Sequence, residues 1–311
     1  MPEGFSDSLP LGRSTLDRDA LSRGRPGVLE ESWADPATRV LLLSGGRALL
    51  ADDGSGLALV PPTELPAPGL TVYLGRTTEE GDPPAGTVVL GAVYDAPPVQ
   101  GEWADLRLDG ARLGARDAGM FAELLGIANW HRVSAFSPRS GSPMVVGRGG
   151  WVRHPEGEDA ESSGEHVFPR TDPAVIMGVV DGRDRILLAH NQAWPAGRVS
   201  VLAGFVEPGE SFEMAVRREV QEEVGIGVGA CEYLGSQPWP FPASVMVGFL
   251  AHTVKAEVEP ATDGEEIREA RWWSREELHA AAGSELLLPG RTSIARAIIE
   301  HWYGGRLEGD W

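Results

Sequence analysis

Four acids within one short segment are the residues of this 311-residue chain best suited to chemistry. Residues 204–226 read GFVEPGESFEMAVRREVQEEVGI and place Glu210, Glu219, Glu222 and Glu223 at fixed offsets from two glycines and an arginine. Like charges three and four residues apart repel one another, so a cation should compensate them. Oxygen ligands without a neighbouring His or Cys favour Mg²⁺ or Mn²⁺ over zinc.

One helix is predicted to carry most of these acids. Pro208 and Gly209 form a tight bend before Ser211, which is a candidate N-cap. Gly225 fits the C′ position that commonly ends a helix. The spacing therefore predicts a helix over residues 212–224.

The apolar residues of this helix predict which face turns inward. At roughly 100° per residue, one stripe about 120° wide is formed by Phe212, Val216, Val220 and Val224. Glu219 and Glu223 project about 20° from Phe212 and Glu222 about 80° from it, whereas Arg217 and Gln221 face away. A solvated charged face, which is the alternative, would place the acids opposite the stripe.

The same residues resemble the Nudix box, in which Gly, Glu, Arg-Glu, Glu-Glu and Gly stand at fixed spacings. Every fixed position is met, by Gly204, Glu210, Arg218, Glu219, Val220, Glu222, Glu223, Gly225 and Ile226. The resemblance implies hydrolysis of a nucleoside diphosphate linked to another moiety, with divalent cations held mainly by Glu219, Glu222 and Glu223. It also implies that Arg218 and Glu210 form a charged pair that supports the loop and helix.

A second motif, SQPWPFPAS at residues 236–244, narrows the substrate. Prolines alternating with aromatics predict a stiff, extended segment that presents Trp239 and Phe241 as flat surfaces, with Gln237 and Ser244 as hydrogen-bonding groups. A Pro-rich core loop with buried aromatics is the alternative. The motif resembles the signature of the NADH pyrophosphatase branch, which implies that it binds a nicotinamide mononucleotide half.

The resemblance to this branch implies further site residues. It assigns Glu266, in the acidic loop that begins at Asp263, as a fourth metal ligand, although Glu265 fits if the register slips by one residue. A solvated loop is the alternative. It also assigns four positions to the adenine ring, namely Phe168, Phe205, Ile176 and Ala295. Core packing is a rival explanation for Ile176 and Ala295.

The middle of the chain departs from the branch, whose members usually carry a four-cysteine zinc ribbon after a Trp-His and a Phe. Trp130, His131 and Phe136 remain, but the four cysteine positions hold Ser137, Ser140, Ala160 and Ser163. These residues cannot replace thiolates as zinc ligands, so we expect no structural zinc. Residues 147–163 are predicted to be a mobile loop or a ribbon held by packing alone.

The remaining pattern predicts an α/β protein. The predicted elements are strands at 174–180, 185–189 and 245–251, a further strand that ends at residue 273, and a helix at 293–302. Together they predict a Nudix α/β/α sandwich with a mixed sheet. This helix should pack through Ile294, Ala297, Ile298 and either His301 or Trp302. Before it we expect a small β-rich N-terminal domain, with strands at 40–43, 48–50, 57–60 and 88–93, and a helix at 118–133 that leads into the degenerate ribbon. The predicted segments are 1–109, 110–170 and 171–311.

Composition excludes several functional classes. A formal net charge of −19 argues against nonspecific binding to nucleic acid or anionic membranes. No apolar stretch reaches membrane-spanning length, and the start MPEGFSDSLP lacks the pattern of a signal peptide, so a cytoplasmic location is expected. The single cysteine, Cys231, is expected to be buried and inert within a strand.

Taken with the resemblance, these features predict a metal-dependent pyrophosphatase. It should cleave NADH, and less readily NAD⁺, into nicotinamide mononucleotide and AMP, and act as a homodimer as relatives generally do. Two alternatives of the same fold act on ADP-ribose or on the NAD cap at an RNA 5′ end. An alternative of another class is a non-catalytic Nudix regulator that senses nucleotides.

Overall fold

The computed structural model describes residues 4–160, 163–262 and 264–311. They form two compact units. The N-terminal unit comprises residues 13–171 and 240–243, and the C-terminal unit comprises residues 4–12, 172–239 and 244–311. The units differ from the three predicted segments, because residues 4–12 join the C-terminal part and residues 13–171 stay together.

Within its described residues, the N-terminal unit contains nine strands and four helices. The strands are β1 (Leu16–Asp17), β2 (Arg39–Ser44), β3 (Arg47–Leu49), β4 (Leu59–Val60), β5 (Leu70–Thr77), β6 (Val88–Tyr94), β7 (Trp103–Asp105), β8 (Met144–Gly147) and β9 (Val152–Pro155). The helices are α1 (Ala20–Arg23), α2 (Val28–Ala34), α3 (Leu106–Asp109) and α4 (Ala115–Val133), with 3₁₀ turns at Pro62–Glu64, Gly110–Arg112 and Arg148–Gly150.

Seven of these strands form one sheet in the order β1-β5-β6-β2-β3-β7, with β4 beside β2. Only β2 and β6 run parallel among these pairs of described strands. The predicted strands correspond to β2, β3, β4 and β6, although β4 is shorter than the predicted segment. Strand β5 was not predicted, because Gly75 and Arg76 interrupt its apolar run, yet it lies between β1 and β6.

Helix α4 packs on this sheet and leads into the ribbon. A Cβ at Gly91 on β6 would lie 2.4 Å from Leu124 of α4, so helix and sheet approach closely. Near its end, His131 is buried, and its Nε2 lies 2.8 Å from Gly150 O. Its Nδ1 accepts a hydrogen bond from Arg153 Nε at 2.9 Å. Burial lowers the pKa of His131 to about 4, so the imidazole stays neutral and ties α4 to β9.

The predicted loop is partly strand, since β9 lies within it and pairs antiparallel with β8, which ends at the first residue of the loop, Gly147. Side-chain hydrogen bonds hold it, which corrects the prediction of packing alone. The Ser137 hydroxyl donates to one oxygen of the Glu165 carboxylate, and Ser140 Oγ donates to the other at 3.2 Å. Ser163 Oγ donates to the Glu165 carbonyl at 3.0 Å.

Ala160, the fourth of the matched positions, contributes through its backbone. Its carbonyl oxygen lies 2.9 Å from His166 Nε2. Of the predicted loop, residues 161 and 162 lie outside the described residues. One glutamate therefore joins the three serines that stand where relatives carry zinc ligands.

Removing that glutamate should loosen the ribbon. Glu165→Ala deletes both serine contacts to the carboxylate, so we expect the free energy of unfolding to fall by about 1–2 kcal/mol. Thermal unfolding measures this loss. Glu156→Ala removes the same charge from the same region and should have little effect. Chelators should not alter the melting temperature of the parent protein, and one zinc atom per chain in elemental analysis would contradict this account.

The described part of the C-terminal unit contains six strands and three helices. They are β10 (Asp172–Val180), β11 (Ile186–Asn191), β12 (Leu202–Phe205), β13 (Val228–Trp239), β14 (Ser244–Thr253), β15 (Ile267–Trp273), α5 (Phe212–Val224), α6 (Arg275–Ala281) and α7 (Ile294–Tyr303), with a 3₁₀ turn at Phe5–Ser8. The sheet order is β13-β14-β10-β11-β15, with β12 beside β10. Strands β10 and β14 are parallel and the other pairs are antiparallel, so the sheet is mixed as predicted.

Helices cover both faces of this sheet. Alternate residues of β10 enter two cores, with Val175 and Met177 beside α5 and Ile176 beside α7. This alternation is expected of a strand whose two faces are both buried. The predicted α/β/α sandwich is confirmed. Leu9 is fully buried in the core beside α7, which explains why residues 4–12 belong to this unit.

Two side-chain predictions fail and one succeeds. Phe212 remains 41% exposed, because side chains of a helix point back towards its N-terminus and this is the first residue of α5. On α7, Trp302 is buried and His301 is exposed. Cys231 lies in β13 but is only half-buried, and burial raises the pKa of its thiol. Among the described residues, none of the helices is long and apolar enough to cross a membrane.

Candidate active site

Helix α5 has the bounds and caps predicted from its sequence. The Ser211 side chain accepts a hydrogen bond from Met214 N at 3.2 Å. Gly225 adopts the left-handed conformation with φ 67°, and its N–H donates to Gln221 O. Glycine adopts this left-handed conformation with little steric strain, and the helix therefore ends there. Arg217 and Gln221 are exposed, as the helical spacing predicted.

Arg218 is the centre of the charged network on α5. Its Nε and Nη2 donate to the two oxygens of Glu210 at 2.7 and 2.9 Å. Its Nη1 donates to Glu219 Oε1 at 2.8 Å and to Glu222 Oε2 at 3.0 Å. Nη2 also donates to Phe205 O at 2.9 Å, which links the helix to the end of β12. These bonds, above all those to Glu210, raise the pKa of Arg218.

Glu210 fixes the loop that precedes the helix. Its hydrogen bonds from Arg218 lower the pKa of its carboxyl, and the backbone N–H of Glu207 also donates to Oε2 at 3.0 Å. A bidentate guanidinium–carboxylate pair is directional as well as strong. The structure therefore contains the Arg218–Glu210 pair that the resemblance implies.

Glu219 lies directly against the backbone of β12. A Cβ built at Gly204 would come within 1.9–2.4 Å of the Glu219 carboxylate atoms, so a side chain at residue 204 cannot coexist with this placement. Burial raises the pKa of Glu219, Arg218 opposes that rise, and the charges of Glu222 and Glu266 add to it. Three carboxylates thus influence one another at this position.

Gly204→Ala should disrupt the site while sparing the helix. The added methyl must displace the Glu219 carboxylate, because contacts under 3 Å are not tolerated. We expect kcat to fall at least about tenfold, since misplaced charged groups stabilise a transition state poorly. Circular dichroism should show unchanged helix content. Gly209→Ala, in the preceding bend, meets no atom within 4 Å, although its φ of 98° disfavours alanine. Equal losses for the two variants would show that backbone strain, rather than Glu219, is responsible.

The remaining acids of α5 differ in exposure. Glu223 is only 6% exposed and faces inward, whereas the Glu222 side chain is 60% exposed and lies at the edge of the network. Both positions follow the predicted angles. Within the ranges described, no three Asp, Glu, His or Cys side chains are already gathered into a metal-binding group.

The acids nevertheless suit a divalent cation. Three carboxylates, those of Glu210, Glu219 and Glu222, face the single guanidinium of Arg218. The Glu219 carboxylate fills the space that a side chain at residue 204 would need. Carboxylate oxygens with excess negative charge are ligands that Mg²⁺ and Mn²⁺ accept.

Glu266 lies at the start of β15, next to the end of β11. Its backbone O accepts from Gln192 N at 2.9 Å, and its Oε1 accepts from Asn191 Nδ2 at 3.4 Å. Its charge contributes to the raised pKa of Glu219, so Glu266 lies near the box. Asp263, the first residue of the predicted loop, lies outside the described residues.

The SQPWPFPAS motif forms a hairpin rather than one extended segment. Its first half ends β13, its second half begins β14, and Trp239 pairs with Ser244 across the turn. Gln237 is fully buried, with its Nε2 donating to Thr292 O at 2.9 Å. Gln237 therefore supports the hairpin from within and is not displayed on its surface.

The turn of this hairpin, Pro240–Ala243, belongs to the N-terminal unit. Asn129 of α4 donates from Nδ2 to Pro240 O at 3.0 Å and to Pro242 O at 3.2 Å. No local pattern points to Asn129, since 111 residues separate it from Pro240. It is a positioning residue outside both motifs.

The four positions assigned to adenine divide into two kinds. Phe168 and Phe205 are each 59% exposed and offer a ring surface. Ile176 and Ala295 are buried in the core beside α7. Packing accounts for these two residues, as the rival explanation proposed.

Comparison with known proteins places this site in a family. A model described as the NUDIX domain matches residues 170–291. The NAD-capped RNA hydrolase NudC of Mycobacterium bovis strain BCG is 42% identical over 302 residues, which cover 93% of this chain and 90% of that protein. The human NAD-capped RNA hydrolase NUDT12 is 40% identical over 200 residues, which cover 61% of this chain and 43% of that protein.

Among solved structures, a NUDIX hydrolase from Nitrosomonas europaea aligns with a TM-score of 0.40 and 18% identity, covering 56% of this chain and 95% of that one. The sandwich, the helix of acids and the sequence matches define a Nudix hydrolase. The chain belongs to this family, in the NADH pyrophosphatase branch with the NudC proteins.

Proposed function

We propose that this protein hydrolyses the diphosphate of NADH, and less readily of NAD⁺, to nicotinamide mononucleotide and AMP. The observation that carries the proposal is the network on α5, where Arg218 binds three carboxylates beside the close contact of Gly204 with Glu219. Nudix membership supports hydrolysis of a phosphoric anhydride. The intact hairpin motif supports a nicotinamide end.

Glu219, Glu222, Glu223 and Glu266 are the residues that would hold Mg²⁺ or Mn²⁺. When bound, such cations polarise phosphoryl oxygens and lower the pKa of coordinated water. Arg218 and Glu210 keep α5 and the loop before it in register. One of the four carboxylates would accept the proton of the attacking water.

The two ends of the substrate are assigned to aromatic surfaces. The exposed rings of Phe168 and Phe205 are proposed to contact adenine by stacking. Trp239, Phe241 and Ser244 of the hairpin are proposed to contact the nicotinamide end, with Gln237 as their buried support. We further propose that the protein acts as a homodimer in the cytoplasm.

A second substrate class is favoured by one finding. Relatives that match most of this chain are named NAD-capped RNA hydrolases. NAD-capped RNA carries the same diphosphate, so the same residues would serve it. ADP-ribose shares the adenine end but lacks nicotinamide. A non-catalytic sensor remains the alternative of another class, and the complete set of box acids speaks against it.

A direct assay separates these functions. The protein is incubated with Mg²⁺ or Mn²⁺ and, separately, NADH, NAD⁺, ADP-ribose or NAD-capped RNA, and products are resolved by chromatography. We expect AMP and reduced nicotinamide mononucleotide from NADH, with NAD⁺ cleaved more slowly. Binding of all four compounds without products would establish the sensor instead. Faster cleavage of the capped RNA than of NADH would reverse the order of substrates.

A further inference from the structure

The turn Pro240–Ala243 carries Phe241, and α4 fixes the backbone on both sides of that residue. Asn129 Nδ2 donates to the carbonyl oxygens of Pro240 and Pro242. A Cβ at Gly126, one helical turn before Asn129, would come within 3.7 Å of Pro240. The ring of Phe241 therefore stands on a backbone that the N-terminal unit holds in place.

A cation lies against this ring. Arg107 of α3 places its guanidinium carbon 4.5 Å from the centroid of Phe241, within the range of a cation–π contact. The residue is exposed, and its backbone N–H donates to the Asp105 side chain at 2.9 Å, which caps α3. Arg107 thus brings a permanent positive charge to one aromatic surface of the hairpin.

We propose that Arg107 is a specificity residue that favours the reduced over the oxidised nicotinamide ring. The inference rests on the proposed function, in which Phe241 contacts the nicotinamide end. The oxidised ring is a cation, whereas the reduced ring is neutral. An aromatic face without a charged neighbour attracts cations, and it would favour the oxidised ring. A guanidinium on that aromatic side chain opposes this attraction by direct repulsion.

The size of this effect follows from the distance and the solvent. Arg107 is exposed, so its charge is screened by water and acts with a high effective dielectric constant. Repulsion between this screened charge and an oxidised nicotinamide ring stacked on Phe241 should favour NADH over NAD⁺ roughly three- to tenfold. Added salt should weaken it, because screening shortens the reach of exposed charges.

The test compares kcat/KM for NADH, NAD⁺ and ADP-ribose in matched variants. Arg107→Met removes the charge but keeps an unbranched chain over the ring, and it should raise the NAD⁺ to NADH ratio about three- to tenfold. Arg107→Lys keeps the charge and should keep most of the parent ratio. The control Arg112→Met removes a charge that is paired with Asp109 in the same region, and it should leave the ratio unchanged.

ADP-ribose separates selectivity from damage to the fold, because it has no nicotinamide. Its kcat/KM should change less in Arg107→Met than that of NAD⁺. An unchanged NAD⁺ to NADH ratio in Arg107→Met, with hydrolysis intact, would overturn this inference and leave the proposed function standing. A uniform loss with all three substrates would also overturn it, by showing a structural role. Failure of the parent protein to cleave either dinucleotide would instead refute the proposed function.

Discussion

Glu223→Gln should lower kcat with NADH at least about a hundredfold while leaving α5 folded. Glu223 is the most buried acid of the box helix and faces inward at 6% exposure. Glutamine keeps its size but removes the charge that a catalytic cation would need. Loss of one preorganised electrostatic contact typically costs about 10²–10³ in rate. Steady-state kinetics at saturating Mg²⁺ or Mn²⁺ measures the effect.

The matched control for this variant is Glu213→Gln. Glu213 lies in the first turn of the same helix and is exposed, and the network of Arg218 does not include it. We expect its kcat to remain within about twofold of the parent value, as for surface substitutions away from a site. If Glu223→Gln retained full turnover, the assignment of the box acids as the catalytic centre would be wrong.

Arg218→Met should damage both stability and turnover. The guanidinium is only 22% exposed and binds three carboxylates and the Phe205 carbonyl. Its removal leaves those carboxylates repelling one another, so we expect the free energy of unfolding to fall by about 2–4 kcal/mol. Turnover should fall about ten- to a hundredfold, because the loop carrying Glu210 loses its anchor. Chemical denaturation and steady-state kinetics give the two values.

Two companion variants sharpen this result. Arg218→Lys should recover little, since an ammonium group cannot reproduce the bidentate contact with Glu210 and also reach Glu219. Arg217→Met alters the neighbouring residue, which is exposed and donates only to the carbonyls of Glu213 and Gly229 among the bonds described. Stability equal to that of the parent in Arg218→Met would contradict the network as the support of α5. So would full recovery by lysine.

Local sequence rules were sufficient for α5 and insufficient for its surroundings. The capping serine, the apolar spacing and the terminal glycine act within a few residues, so the bounds of the helix were predictable. The exposure of Phe212 depends on what lies beyond the helix end, which local spacing does not encode. The same limit applies to Ile176, whose burial is set by α7 packing across the sheet.

Long-range polar contacts were the other unpredictable part. The pairing of Ser137 with Glu165 is a specific interaction that no spacing rule predicts. Asn129 supports a turn that lies more than a hundred positions away in the chain. A motif identifies which residues meet the substrate, whereas the residues that hold a motif in place are found only in three dimensions.

The burial of Leu9 determines when this core can form during translation. Residues 4–12, 172–239 and 244–311 form one unit around a shared core, while residues 13–171 and 240–243 form the other. On the ribosome, the segment around Leu9 emerges long before its partners Trp273 and Leu307. The core of the catalytic half must therefore await synthesis of residues 172–307 and close a large loop to capture that early segment. A fragment beginning at residue 172 would lack Leu9, so its folded core would contain a cavity at that position.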